Sequence, residues 1–449
     1  MNSTLAAYTD RAPAPTDPGD EQPAIGLIGM GEMGRMYAHA LSKAGWQHIH
    51  VCDLPTNFER LKNDMAGVAG VSVHVDGHAV SRLSDFVLYS VEAEHIDAVV
   101  ARFGPSTKLG AIVGGQTSVK APERAAFEAH LPEDAHIVSV HSLHGPTVSP
   151  EGQPLVIIQH RAPEWVVRIV EAILTPLKSR HIRLTYEEHD IVTANTQAVT
   201  HAAFLSMGTA WMFQREYPWE GAAGLFVGGI EIVKVNIAIR IYSNKWHVYA
   251  GLAILNPVAR VQIAQFAKST TELFELMISG KEDALRARVH RARDIVFGRD
   301  APDGPLLLRE DVLDQFQLGK RERGVREAPE NSHLALLTMV DCWATLGINP
   351  FEHLAVAATP IFRLWIGIAQ VLFLNAPRLE RAIVAGVRDA TYRANDLEFV
   401  VAARGWAQCV SHGSFALYAE RFAETANFFE PRFEEATALG SRMIRAVMQ

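Results

Sequence analysis

The sequence predicts an α/β unit built on a mainly parallel sheet, followed by an all-α C-terminal region. Three observations predict it. Between Pro23 and about Leu184, short apolar runs alternate with helical stretches: Ala24–Ile28, His48–Cys52, Phe86–Ser90, Ala111–Val113, Ile137–Val140 and Leu155–Ile158. Strands covered on both faces read as continuous apolar runs of this kind. A glycine-rich turn directly follows the first run. After Tyr186 the runs give way to long helical stretches, from Glu188 through Trp211, Glu231 through Leu255, and Pro257 through Val289.

A chain of 449 residues exceeds one ordinary core, so several parts are expected. Residues 1–22, rich in Pro, Asp, Thr and Ala without periodicity, read as a flexible tail. Residues 23–185 form the sheet unit and 186–300 a helical unit for substrate and dimerisation. Residues 301–330, charged and punctuated by Gly and Pro, form a connector, and 331–449 a further helical region. A net charge of −8 argues against a general nucleic-acid binder but not against a local cationic pocket. The three cysteines, Cys52, Cys342 and Cys409, are too scattered for a disulfide framework or a metal site, so no metal is expected. The N-terminus lacks the apolar core of a secretory signal. The most apolar stretch, around Ile361 to Leu374, carries Arg363 and is too short to span a bilayer. The expected setting is the cytoplasm, away from any membrane.

The sharpest local signal is Gly29-Met30-Gly31-Glu32-Met33-Gly34, a GxGxxG between a strand and a helix-forming run. The glycines serve a tight turn, close backbone approach to a pyrophosphate, and close helix–strand packing, and the helix N-terminus faces the phosphates. The second strand ends in Asp53, roughly two dozen residues on, where an acid meets the ribose. Together these define a Rossmann-type dinucleotide site. Asp53 by itself favours the free 2′-hydroxyl of NAD over the 2′-phosphate of NADP. Arg35, Arg60 and Lys62 offer a cationic alternative.

Other chemistry sits where strands end. Gly114-Gly115-Gln116-Thr117-Ser118-Val119-Lys120 follows one strand, its glycines allowing a ligand close to the backbone and its polar residues facing it; an ordinary turn with a helix N-cap at Thr117 or Ser118 explains the same residues. His141-Ser142-Leu143-His144-Gly145-Pro146 ends another, and a histidine there suits a base titrating near neutrality. Glu187-Glu188-His189-Asp190 heads a helix with His201 farther along, a position that also suits a packed core histidine. Arg240 lies in an apolar run, where an unpaired guanidinium is costly, so it needs a carboxylate from the protein or from a ligand.

Taken in order and spacing, these segments resemble the prephenate/arogenate dehydrogenase family, with a close likeness to its fungal branch from Ile25 onward. Further stretches that carry the resemblance are Tyr89-Ser90-Val91-Glu92, Thr196-Gln197-Ala198-Val199-Thr200-His201 and Arg240-Ile241-Tyr242-Ser243-Asn244-Lys245-Trp246-His247. The resemblance implies oxidative decarboxylation of prephenate to 4-hydroxyphenylpyruvate and CO2 on the route to tyrosine. It implies His141 as the base toward the ring hydroxyl, Ser118 beside that hydroxyl, and Arg240 as clamp on a substrate carboxylate. Lys120 and His201 are implied as further substrate contacts. Gly29 to Gly34, Asp53, Ser90 and Gln116 hold the cofactor, which the fungal likeness makes NADP rather than NAD. A homodimer is the family habit. Ser142 stands where bacterial relatives commonly carry proline.

Two other readings compete. The β-hydroxyacid dehydrogenase class shares the opening motif but wants a Ser-Gly-Gly segment and a helical-domain lysine base, absent here in the expected form. A non-catalytic NADP-binding redox sensor would not need both His141 and Arg240.

Overall fold

The computed structural model describes residues 3–146, 148–215, 217, 229–298, 330–357 and 360–436, with 438, 440 and 442. The chain divides into two compact units, Met1–Ile191 and Val192–Gln449.

The first unit is built on eight strands: β1 (Ile25–Ile28), β2 (Ile49–Cys52), β3 (Val71–Val73), β4 (Phe86–Tyr89), β5 (Ile112–Gly115), β6 (His136–Ser142), β7 (Pro154–Gln159) and β8 (Arg180–Arg183). Their order is β3-β2-β1-β4-β5-β6-β7-β8, all neighbours parallel except β6 with β7. The six expected strands are present. β3 and β8 were not expected, and they are the two sheet edges. Helices flank the sheet, and β1, β4 and β5 are buried throughout, which is why they read as unbroken apolar runs. The helix Glu32–Ala44 buries Tyr37, Ala38 and Leu41 and stops at Gly45, whose φ of 107° places it in the left-handed region.

The expectation of a flexible tail before Pro23 is corrected. Leu5 and Tyr8 are buried in the same apolar cluster as Ile25 and Tyr37. The Tyr8 hydroxyl donates to the Glu21 carbonyl (2.7 Å), and the Gln22 amide donates to the Pro15 and Asp17 carbonyls (3.0 Å each). Two buried apolar anchors and a closed set of hydrogen bonds offset the entropy of ordering this segment.

The second unit is helical. The helix Val199–Gln214 is buried along an unbroken stretch from Ala202 to Ala210, as expected of a helix that is apolar on every side. The stretch expected as one helix from Glu231 to Leu255 is two, Ile230–Tyr242 and His247–Leu255. The break is local chemistry: Ser243 Oγ and Asn244 Nδ2 both donate to the Arg240 carbonyl (2.8 and 3.0 Å), taking an acceptor from the helical ladder. Likewise Pro257–Val289 divides into Pro257–Ile278 and Glu282–Phe297 at Gly280, where φ is +67°. The expected connector, 301–330, lies outside the described residues except for its last position. Among the described residues no helix is long and apolar enough to cross a membrane, and no group of His, Cys, Asp and Glu is placed to hold a metal.

Candidate active site

Register brings four loop residues to one edge. β1 pairs Ile28 with Cys52 and with Tyr89, and β4 pairs Tyr89 with Gly115. Gly29, Asp53, Ser90 and Gln116 are therefore each the first residue past the carboxyl end of a level parallel strand, where open α/β sheets bind ligands. Gly29 has φ of +101°, and a Cβ there would strike the Ser90 carbonyl; one on Gly34 would strike the Gly29 carbonyl. Gly31, the N-cap of Glu32–Ala44, is different: a Cβ there meets nothing within 4 Å. The space over that helix N-terminus is open, with unpaired N–H groups and the positive dipole end beneath it, and a pyrophosphate fits it. Glu32 is exposed beside it, Met33 is half-buried and Met30 is buried under the loop. Gly31→Val is expected to raise KM for the dinucleotide on the order of tenfold or more with little change in Tm, because the side chain occupies ligand space and not protein space. Cofactor titration against thermal melts checks this.

Asp53 is half-buried, its carboxylate accepting from Leu54 N (2.8 Å) and Asn57 Nδ2 (3.2 Å), and Arg60 donates to Asn57 Oδ1 (3.3 Å). Among the described residues neither amide atom of Gln116 has a hydrogen-bond partner of normal geometry, though both are buried. Such orphaned groups call for a ligand or water. Ser118 is exposed on the same loop.

His141 stands near the end of β6, opposite Val156 of β7. Its Nδ1 lies 2.8 Å from His189 Nε2, and His189 Nδ1 lies 2.9 Å from Asp190 Oδ1. Asp190 in turn accepts from the backbone N–H groups of Lys120 and Ala121 (2.8 Å each), capping the helix Lys120–His130 from outside its own chain segment. His189 is 1% exposed, so the row is closed to water on that side. Burial, the facing His189, and the Lys120 ammonium hold the His141 imidazole well below the usual histidine range. Burial does the same to His189 and pushes Asp190 up. Among the described residues no hydrogen bond reaches His141 Nε2. The helix Tyr186–Thr193 owes its start to a capping box, in which Glu188 N donates to Thr185 Oγ1 (3.1 Å) and Thr185 N to Glu188 Oε2 (2.8 Å). That start sets the phase of His189 and Asp190.

Lys120, expected as a substrate contact, is corrected to an internal strut. It is 0% exposed, and its ammonium reaches Glu123 (2.8 and 2.9 Å), the Gly115 carbonyl (3.1 Å) and the Val140 carbonyl (2.9 Å). No donor remains for a ligand, because an ammonium has three. The adjoining glycines are corrected in the same way. A Cβ on Gly114 would collide with the Val138 carbonyl and one on Gly115 with the Glu123 carboxylate, so they admit neighbouring protein, not a ligand. Sequence reasoning missed Glu123, although Lys-x-x-Glu at helical spacing was there to read.

The remaining two expected residues belong to the helical unit. Arg240 ends Ile230–Tyr242, is half-buried, and among the described residues makes no ion pair. His201 packs edge-on against Tyr249, ring centroids 4.7 Å apart, and its Nδ1 is buried without a partner. Burial pushes the His201 imidazole down to about 4. Asn244, which donates to the Arg240 carbonyl, also donates to the Tyr249 hydroxyl (3.1 Å). The two expected residues thus share a neighbourhood through Asn244 and Tyr249. A small apolar pocket beside His201 is lined by Leu205, Tyr249, Trp406 and Tyr418.

An open helix N-terminus behind a GxGxxG turn, with a neutral imidazole at the sheet's carboxyl edge, defines a dinucleotide-dependent oxidoreductase. Residues 24–113 match the family described as NADP oxidoreductase, coenzyme F420-dependent, and residues 198–449 match a family described as a 6-phosphogluconate dehydrogenase C-terminal domain. The chain is 51% identical over 427 residues to the probable prephenate dehydrogenase [NADP(+)] of Schizosaccharomyces pombe, covering 95% of this chain and 97% of the relative. It is 49% identical over 430 residues to the prephenate dehydrogenase [NADP(+)] of Saccharomyces cerevisiae, covering 94% of each. It belongs to the prephenate dehydrogenase family. Among solved structures, prephenate dehydrogenase from A. aeolicus in complex with hydroxyphenyl propionate and NAD+ is similar at 17% identity and a TM-score of 0.48, covering 59% of this chain and 94% of that one.

Proposed function

We propose that the chain oxidatively decarboxylates prephenate to 4-hydroxyphenylpyruvate and CO2 with NADP as acceptor, in the formation of tyrosine. The observation that carries this reading is His141 at the sheet's carboxyl edge, its Nδ1 engaged and its Nε2 unclaimed among the described residues. His141 Nε2 takes the proton of the ring hydroxyl. The nicotinamide, when bound, supplies the acceptor for the hydride on the carbon bearing that hydroxyl. As a carbonyl forms there the ring carboxylate departs as CO2, and aromatisation drives the loss. The exposed Ser118 hydroxyl orients the ring hydroxyl toward His141. His201 contributes a polar contact from the helical unit, where a homodimer interface is also expected.

Arg240 is assigned to a substrate carboxylate, because a half-buried guanidinium without a protein carboxylate lacks its natural planar partner. Arg240→Gln is expected to raise KM for prephenate about 10–100-fold, the loss of a charge-assisted contact, with kcat changed far less. Steady-state kinetics check it, and an unchanged KM overturns the assignment.

NADP is preferred over NAD on the names of the fungal relatives, and the engagement of Asp53 by Leu54 N and Asn57 supports it by drawing off part of the charge that would repel a 2′-phosphate. The deciding experiment compares NADP with NAD on prephenate and on arogenate, following reduced-cofactor absorbance and CO2. Fast turnover with prephenate and NADP is expected. A flat trace with tight cofactor binding favours a sensor, and preference for arogenate moves the substrate assignment.

A further inference from the structure

We propose that His189 and Asp190 form a one-way hydrogen-bond relay that fixes the tautomer of His141, holding its Nε2 lone pair out as the base. The proposal rests on the reading of His141 as base and goes one step behind it. Its direction follows from the far end. Asp190 already accepts from two backbone N–H groups, at Lys120 and Ala121, so its Oδ1 faces His189 as an acceptor. His189 Nδ1 must then carry the hydrogen. A neutral imidazole has one N–H, so His189 Nε2 is an acceptor. The 2.8 Å contact to His141 therefore places the hydrogen on His141 Nδ1, and the His141 lone pair is left on Nε2. Reversing any one bond would set two donors or two acceptors against each other inside a buried row.

The relay does not need to move a proton. When His141 Nε2 takes the proton of the substrate hydroxyl, its Nδ1–H stays donated to His189, and the new charge on the imidazolium is shared with a chain that ends on a carboxylate. The proton leaves later from the same Nε2. His189 is a positioning residue, acting on substrate only through His141. Lys120 and His144 are the other charged or titratable groups that act on the His141 ring.

Two measurements test this. In enzyme labelled with 15N at histidine, the His141 signals should show a protonated Nδ1 and an unprotonated Nε2 at neutral pH; an Nε2–H tautomer overturns the relay whether or not any variant folds. In kinetics, His189→Leu should lower kcat by at least about tenfold, leave KM for prephenate within about twofold, and displace the acid limb of the pH profile. His189→Gln keeps an amide oxygen where Nε2 stood and should recover most of kcat. A His189→Leu enzyme with wild-type kcat and pH profile overturns the relay. His141→Asn separates the two readings: if it abolishes turnover while His189→Leu does not, the relay alone fails, and if it leaves turnover intact the base assignment falls and takes the relay with it.

Discussion

Replacing His141 with asparagine is expected to lower kcat by about 10²–10⁴-fold, the usual contribution of a positioned general base, while KM for prephenate stays within about twofold. The split follows from where the side chain works. An asparagine retains a polar group near the ring hydroxyl, so ground-state binding survives. It cannot take a proton, so the interaction that strengthens only as the carbonyl forms is lost. The row behind His141 sharpens the expectation. Because burial, His189 and Lys120 hold the imidazole below its ordinary range, the base stays unprotonated down to lower pH than a free histidine would. The acid limb of kcat/KM for the native enzyme should therefore fall below about pH 6.5, the unperturbed histidine value, and His141→Asn should abolish that limb. A variant with intact kcat and an intact limb would show that another group does the work.

What was legible in the sequence follows how each part meets water. β1, β2, β4 and β5 are interior strands of a sheet covered on both faces, so each is a short apolar run, and the glycines between β1 and its helix announce the turn that only glycine geometry permits. β3 and β8 are edges, with exposed Ser72, Arg180 and Arg183 breaking the pattern, and no run of apolar residues marks them. The N-terminal segment misled for a related reason. Its order comes from isolated buried residues, Leu5 and Tyr8, and hydrogen bonds to carbonyls, neither of which has a period. The position of His141 at a strand end was readable. Its supporting row was half-readable, because Thr185-x-x-Glu188 fixes a helix start that brings His189 and Asp190 onto the first turn, but nothing local shows that Asp190 will cap a helix seventy residues upstream. Lys120 was misread because a lysine is by prior an exposed residue, and only its three-dimensional surroundings show that it is sealed in.

Lys120→Met is expected to destabilise the enzyme by about 3–5 kcal/mol, since it leaves the fully buried Glu123 carboxylate without its counter-charge and strips a donor from the carbonyls of Gly115 and Val140. If the first unit melts as a body, its Tm should fall by roughly 6–20 °C. The double variant Lys120→Met with Glu123→Gln should recover much of this, because the uncompensated charge is gone while an amide oxygen still accepts from Thr117, whose N–H and hydroxyl both reach Glu123 Oε2 in the native protein (3.1 and 2.6 Å). Substrate affinity separates a strut from a ligand contact. With every donor of the ammonium already used inside the protein, KM for prephenate in the folded fraction should stay within about twofold, and kcat should fall only so far as β6 shifts at Val140, the residue before His141. Thermal melts and kinetics on the same preparations decide it. A Tm that does not move, with KM raised tenfold or more, would mean that the ammonium leaves Glu123 and reaches the substrate, and that the pair closes only in the absence of ligand.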